Sequence, residues 1–159
     1  MLPELTHFSN RPIKRVRSAK QDDEPGRKPV GLCVSVEGED GWGAWCKAEN
    51  FGIGKFVHKV VPDQTAQILH ISSEPDLDQF HMGFRADPSW RSDHLRDYGC
   101  IDWRLVAEEW QGIVIAPYLW ERRFDSDARW YYSWDCASGC IWDHRAIAAI
   151  ELIGELRPA

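Results

Sequence analysis

Short apolar runs, each closed by turn or cap residues, recur along this chain. In residues 54–62 (GKFVHKVVP), Phe56, His58 and Val60 alternate with the residues between them, which is typical of a half-buried β-strand. Other runs predict strands that are short or largely buried. These predicted strands cover residues 4–9, 29–36, 66–72 and 112–118.

Helical spacing is clearest in residues 102–110. Trp103, Val106, Ala107 and Trp110 fall on one face there, and Asp102 is a suitable N-cap. A second helix begins after Ser73, whose hydroxyl is also a suitable cap. A third short helix over 42–49 places Trp42 and Trp45 on neighbouring positions of one face.

The remaining segments are less regular. Residues 128–143 predict one or two strands around a turn near 137–139, and 146–153 fit a strand or a short helix equally well. Residues 9–28 form a long polar connection, and 84–100 predict no element. We therefore predict a single α+β domain over residues 1–159. Irregular strand–helix order and the lack of a glycine-rich phosphate loop argue against a doubly wound nucleotide fold.

Composition indicates an ordinary globular chain with an unusual content of tryptophan. Of 159 residues, 43% are hydrophobic and 28% charged, and nine are Trp. So many indoles indicate either a Trp-rich core or stacking surfaces for flat ligands.

No apolar run is long enough to cross a bilayer, and the first residues do not resemble a secretion signal, so we expect a soluble, cytoplasmic protein with no membrane partner. The oligomeric state is left open.

The five cysteines indicate a reduced compartment and no disulfide scaffold. Cys136 and Cys140 are four residues apart, and a zinc site is an alternative there. No second tight Cys or His pair accompanies them, so no metal site is predicted.

Charge is unevenly distributed. The net charge is −6, yet residues 1–29 hold seven basic side chains against four acidic ones. Arg15 and its basic neighbours either bracket a pyrophosphate or form a solvated loop. The acidic remainder of the chain argues against unspecific binding of long nucleic acid.

Three motifs resemble those of the ADP-ribosyltransferase superfamily, in the diphtheria-toxin and poly-ADP-ribose polymerase branch. The first is a strand with a His and a small hydroxyl residue, and His7-Phe8-Ser9 is similar to it. The resemblance implies that His7 holds the adenosine ribose of NAD and that Ser9 lies near the bound dinucleotide.

The second family motif is a Gly-Ile/Leu-Tyr-Phe-Ala/Ser strand followed by a helix with an aromatic residue that stacks on nicotinamide. The segment from Gly31 to Ser35 resembles this strand, and Trp42 or Trp45 would be the stacking residue. Cys33 stands at the position of the family's tyrosine.

The third motif is a strand that opens with a catalytic Glu. The segment 138–143 resembles its apolar part but places Ser138 where the Glu belongs. Ser138 can hydrogen-bond a ribose, but it has no charge to oppose developing positive charge. Asp135 and Glu121 are the candidates for that role.

The resemblance implies a fold of two small, mostly antiparallel sheets that form a cleft, with two or three short helices. It implies an NAD-dependent ADP-ribosyltransferase that breaks the nicotinamide–ribose bond. The acceptor is open among protein, nucleic acid and water, and small members of the family often act as toxins or phage factors.

One alternative is a non-catalytic module that binds NAD, ADP-ribose or a nucleic-acid end. Another is a Trp-rich protein-interaction factor of viral or defence type, which would expose a large aromatic patch.

Overall fold

A single seven-stranded sheet organises the protein in a computed structural model that describes residues 1–87 and 99–156. The strand order is β4-β5-β6-β2-β1-β3-β7, and neighbours are antiparallel except for the parallel pair β4–β5. The strands are β1 (Leu5–Ser9), β2 (Leu32–Ser35), β3 (Phe56–Pro62), β4 (Ile68–Ile71), β5 (Gly112–Ile115), β6 (Ser138–Ile141) and β7 (Ile147–Glu155). The helices are α1 (Trp42–Ala48), α2 (Glu74–Phe84) and α3 (Trp103–Glu109).

The α+β class and the three helices are as predicted. Two sheets were expected, but the described residues form one sheet. The strand β6 pairs with β5 on one side and with β2 on the other, so the ladder is continuous. The predicted caps are present, since Ser73 Oγ accepts from Asp76 N and Asp102 Oδ1 from Arg104 N. Of the stretch 84–100, residues 88–98 lie outside the described residues.

One segment differs from its predicted secondary structure, and a second segment, for which a strand and a helix were equally possible, is a strand. Residues Arg129–Ser133 form a 3₁₀ helix where a strand was predicted. Trp130 and Tyr131 are adjacent and both fully buried, which a strand with one solvated face does not allow, because its side chains alternate between faces. The ambiguous run near the C-terminus is a strand, β7, which pairs along β3.

Four buried tryptophans show how the core is built. Trp103, Trp130, Trp134 and Trp142 are all buried, and each indole N–H has an acceptor. Trp103 donates to the carbonyl of Gly26 and Trp134 to that of Arg27. The first bond holds the end of the long polar connection against the start of α3, and the second holds it against the segment that follows the 3₁₀ helix. Residues 28–29 and 134–136 thereby lie together in one cavity wall.

None of the helices within residues 1–87 and 99–156 has the length and apolar character needed to cross a membrane.

Candidate functional site

One cavity of about 260 Å³ lies against the centre of the sheet. Strands β1, β2 and β6 contribute to its wall, together with the start of α1 and the segments 28–29 and 134–136. Its lining residues are Thr6, His7, Phe8, Lys28, Pro29, Cys33, Val34, Ser35, Trp42, Trp134, Asp135, Cys136, Ser138, Gly139 and Cys140. Five of the residues singled out in the sequence, from four stretches of the chain, therefore lie together: His7, Ser35, Trp42, Asp135 and Ser138.

His7 presents a defined hydrogen-bonding pattern to this cavity. Its Nδ1 lies 2.6 Å from the backbone carbonyl oxygen of Cys33. A carbonyl only accepts, so Nδ1 carries the proton and Nε2 of the neutral ring is an acceptor. Burial lowers the pKa of His7, an effect that the Cys33 carbonyl partly offsets and nearby His58 reinforces. The ring is therefore neutral at pH 7 and suited to accept a hydrogen bond from a hydroxyl group.

Ser35 lies in the wall with its hydroxyl already in use. Its Oγ donates to Glu37 Oε1 at 2.5 Å and accepts from Trp42 N at 2.9 Å. The second bond satisfies a free N–H at the start of α1. Ser35 therefore positions Trp42 more directly than it offers a group to a ligand. Glu37, which sequence reasoning missed, completes this arrangement.

Trp42 is half-buried in the cavity wall. Trp45 stacks on Trp42, with ring centroids 5.0 Å apart and planes inclined by 13°. Trp45 does not line the cavity. Of the two tryptophans that the second motif offered as stacking residues, only Trp42 therefore lines the cavity.

Asp135 contributes a carboxylate to the lining, and no other Asp or Glu among the described residues does so. No hydrogen bond or ion pair within residues 1–87 and 99–156 involves that carboxylate. Ser138, three residues later, donates its hydroxyl proton to the carbonyl of Cys136 at 2.9 Å. Its Oγ keeps lone pairs that can accept a hydrogen bond from a ligand. Asp135 and Ser138 thus offer acceptors only.

Sequence reasoning missed the sulfur-rich part of this wall. Cys33 is exposed and lies directly opposite the buried Cys140 in the β2–β6 ladder. The neighbouring Cys140 thiol lowers the pKa of Cys33 to about 6 against an opposing effect of burial, with a smaller contribution from the positive charge of Lys28. The S–H of Cys140 itself donates to the carbonyl oxygen of Pro29 at 3.9 Å. Burial raises the pKa of Cys136 to about 11. The composition gave no signal for the Cys33–Cys140 contact, because it depends on which strands pair.

Five predicted residues lie outside the lining. The strand β1 continues through Ser9, so this side chain does not turn into the cavity. Its hydroxyl instead donates to the carbonyl of Arg11 at 2.6 Å. Gly31 packs against β6, where an added Cβ would lie 2.6 Å from Ile141 O. Arg15 and Glu121 are exposed, Glu121 within the short 3₁₀ helix Trp120–Arg122. Trp45, the fifth, supports Trp42. Of the seven Lys and Arg side chains in residues 1–29, Lys28 alone lines the cavity.

A metal centre has no support in the described residues, among which no cluster of three or more His, Cys, Asp or Glu side chains could hold an ion. No family model matches the chain, and no curated protein or solved structure is significantly similar to it.

Proposed function

We propose that this protein binds NAD in the cavity and acts as an ADP-ribosyltransferase that cleaves the bond between nicotinamide and ribose. The observation that carries the proposal is the convergence of His7, Trp42, Asp135 and Ser138 on one cavity. These residues come from three distant stretches of the chain, and each was singled out beforehand for a role toward NAD. A shared cavity is what such roles require.

The chemistry of the lining suits a dinucleotide. The acceptor Nε2 of His7 suits a ribose hydroxyl, which in the resembled family belongs to the adenosine ribose. The half-buried face of Trp42 suits a nicotinamide ring, because stacking needs only a flat apolar surface. Lys28 supplies a positive charge for the pyrophosphate. The volume of about 260 Å³ is small beside the ~300–1,000 Å³ usual for ligand sites, so the cavity would take one end of NAD, with the rest along the open side.

Asp135 would carry the chemical step. When the glycosidic bond breaks, its electron pair neutralises the departing nicotinamide, and positive charge develops on the ribose. Asp135 is half-buried and has no competing partner among the described residues, so its carboxylate can stabilise that charge. Ser138 Oγ would accept from a ribose hydroxyl and hold the sugar in place. The freed ribose carbon is then attacked by the acceptor, for which protein, nucleic acid and water are all open.

The test is release of nicotinamide from NAD by the purified full chain, alone and with cell lysate or nucleic acid added. Asp135→Asn removes the charge but keeps the shape, and it should lower release by about 100-fold or more. The control is Glu109→Gln, which makes the same change of charge on an exposed residue at the end of α3 and should not alter release. Equal release by Asp135→Asn and wild type would overturn the assigned role of Asp135.

A non-catalytic binding module of the same fold is the alternative within this class. This alternative is considered because Ser138 stands where the resembled family has its catalytic Glu, and a serine carries no charge to stabilise the breaking bond. Binding of NAD or ADP-ribose without nicotinamide release under all these conditions would favour it over the transferase.

A protein-interaction factor is a second candidate, favoured by an exposed aromatic patch. Trp120, Phe124 and Tyr132 are 55%, 78% and 50% exposed, and their ring centroids lie 5.5–5.7 Å from the guanidinium carbon of Arg123. Large exposed apolar patches often mark interaction surfaces. Cross-linking in cells would test it, because Phe124→Ser should lose specific partners that wild type and Glu109→Gln retain. Identical cross-linked partners for all three chains would contradict it.

A further inference from the structure

We propose that Cys33 and Cys140 form a redox-active dithiol in the cavity wall, which peroxide converts into a cross-strand disulfide. This site is independent of NAD, and its test contains none.

The sheet itself brings the two cysteines together. They are directly opposed across the antiparallel strands β2 and β6, so their side chains project from the same face. Opposed residues in such a ladder have Cα atoms about 4.5–5.5 Å apart, which lies within the roughly 4.4–6.8 Å range of disulfides. Both residues line the cavity. A disulfide can therefore form without rearranging the strands.

The two thiols differ in a way that assigns their roles. Cys33 is exposed, whereas Cys140 is buried. The Cys140 thiol and the positive charge of Lys28 both favour the ionised form of Cys33, so the pKa of Cys33 falls while that of Cys140 rises. Thiolates are the nucleophilic form of cysteine. Cys33 is thus the attacking sulfur, and Cys140 is the thiol that resolves the product.

The reaction with peroxide balances in two steps. The Cys33 thiolate attacks one peroxide oxygen, the O–O bond breaks, and sulfenic acid and hydroxide form, so sulfur is oxidised and peroxide reduced. The Cys140 sulfur then attacks the Cys33 sulfur. The S–O bond breaks, an S–S bond forms, and the hydroxyl group leaves as water with the Cys140 proton. A thiol reductant reverses the change.

The other cavity cysteine is a matched internal control. Cys136 lies in the same wall, but it is buried, it precedes β6 and so lies outside the ladder, and its pKa is raised to about 11. At pH 7, Cys33 should react with iodoacetamide at least about tenfold faster than Cys136. Wild-type protein suffices for this comparison, so it does not depend on whether a variant folds.

The decisive experiment treats the reduced full chain with hydrogen peroxide at pH 7, blocks free thiols, and identifies linked peptides by mass spectrometry. We expect a Cys33–Cys140 disulfide that dithiothreitol reverses. Cys140→Ser should instead accumulate a dimedone-reactive sulfenic acid at Cys33, and Cys46→Ser, at a buried cysteine of α1, should behave as wild type. Alkylation of Cys33 no faster than that of Cys136, or peroxide-induced links that omit Cys33 and Cys140, would overturn the proposal. Failure of NAD binding would leave these outcomes unchanged.

Discussion

The imidazole of His7 and the backbone of Cys33 are joined by a 2.6 Å hydrogen bond from Nδ1 to the carbonyl oxygen. The bond links β1 to β2 at the cavity and fixes which ring nitrogen carries the proton. Since a neighbouring acceptor selects the tautomer of a histidine, it leaves Nε2 as the acceptor. The same residue, Cys33, presents its thiol to the cavity wall. One backbone contact therefore connects the proposed ribose ligand with the proposed dithiol.

Trp42 should be the stacking surface for the nicotinamide end of NAD. We expect Trp42→Ala to weaken NAD binding by about tenfold, because it removes one face of an aromatic stack worth roughly 0.5–1.5 kcal/mol along with buried apolar area. Trp42→Phe should retain part of the affinity. Calorimetric titration would measure the loss, and Trp120→Ala, at an exposed indole outside the cavity, is the control. Equal loss in the Trp42 and Trp120 variants would contradict this assignment.

Gly139 should be essential to the sheet below the cavity. A Cβ at this position would lie 2.3 Å from the carbonyl oxygen of Ile113 on the neighbouring strand, and backbone cannot move aside as a flexible side chain can. Gly139→Ala should lower the free energy of unfolding by about 1–3 kcal/mol. Gly83→Ala should instead raise it by about 0.5 kcal/mol, since Gly83 is helical with open space around it. Urea denaturation would separate the two, and similar midpoints for both variants would contradict the account.

Acid should destabilise the fold partly through His81. Its Nδ1 accepts from Trp130 Nε1 at 3.1 Å, which requires an unprotonated nitrogen. Burial lowers the pKa of His81 below its ordinary value of 6.5, and the charge of Arg85 lowers it further, against an opposing effect of nearby carboxylates. As pH falls through about 6.5, the unfolded chain takes up a proton that the folded chain does not, so the free energy of unfolding decreases.

Urea denaturation at pH 7.5 and 5.5 measures this effect. His81→Gln, which keeps an acceptor for Trp130, should lose less stability than wild type between the two values. His144→Gln, at an exposed residue, should lose as much as wild type. An unchanged pH dependence in His81→Gln would show that another group is responsible.

Local patterns predicted most elements of this fold. The alternation of residues 54–62 and the caps at Ser73 and Asp102 depend on neighbours in sequence, and all three appear in the structure. The run Arg129–Ser133 is different, because Trp130 and Tyr131 have high strand propensity but are buried on adjacent positions. Tertiary packing decides such a segment, and its propensity is overridden.

The site was predictable only in part, because motifs are local in sequence whereas the cavity is formed by strands that are distant in sequence. His7, Trp42 and Ser138 could be located from motifs, yet their meeting depends on β6 lying beside β2, a pairing across about a hundred residues. The opposition of Cys33 and Cys140 follows from that pairing and its register. Glu121 was a reasonable acid by position in sequence, but the short helix Trp120–Arg122 leaves it exposed outside the cavity.

The most direct test of the account is a calorimetric titration of NAD into wild type and into His7→Ala at pH 7.5, with His144→Ala as the control and circular dichroism to verify folding. We predict binding by wild type and His144→Ala, and an affinity at least about tenfold lower for His7→Ala, because one hydrogen bond to the half-buried imidazole is lost. Absence of binding by folded wild type, or equal affinity in all three chains, would contradict the proposal that this cavity holds NAD.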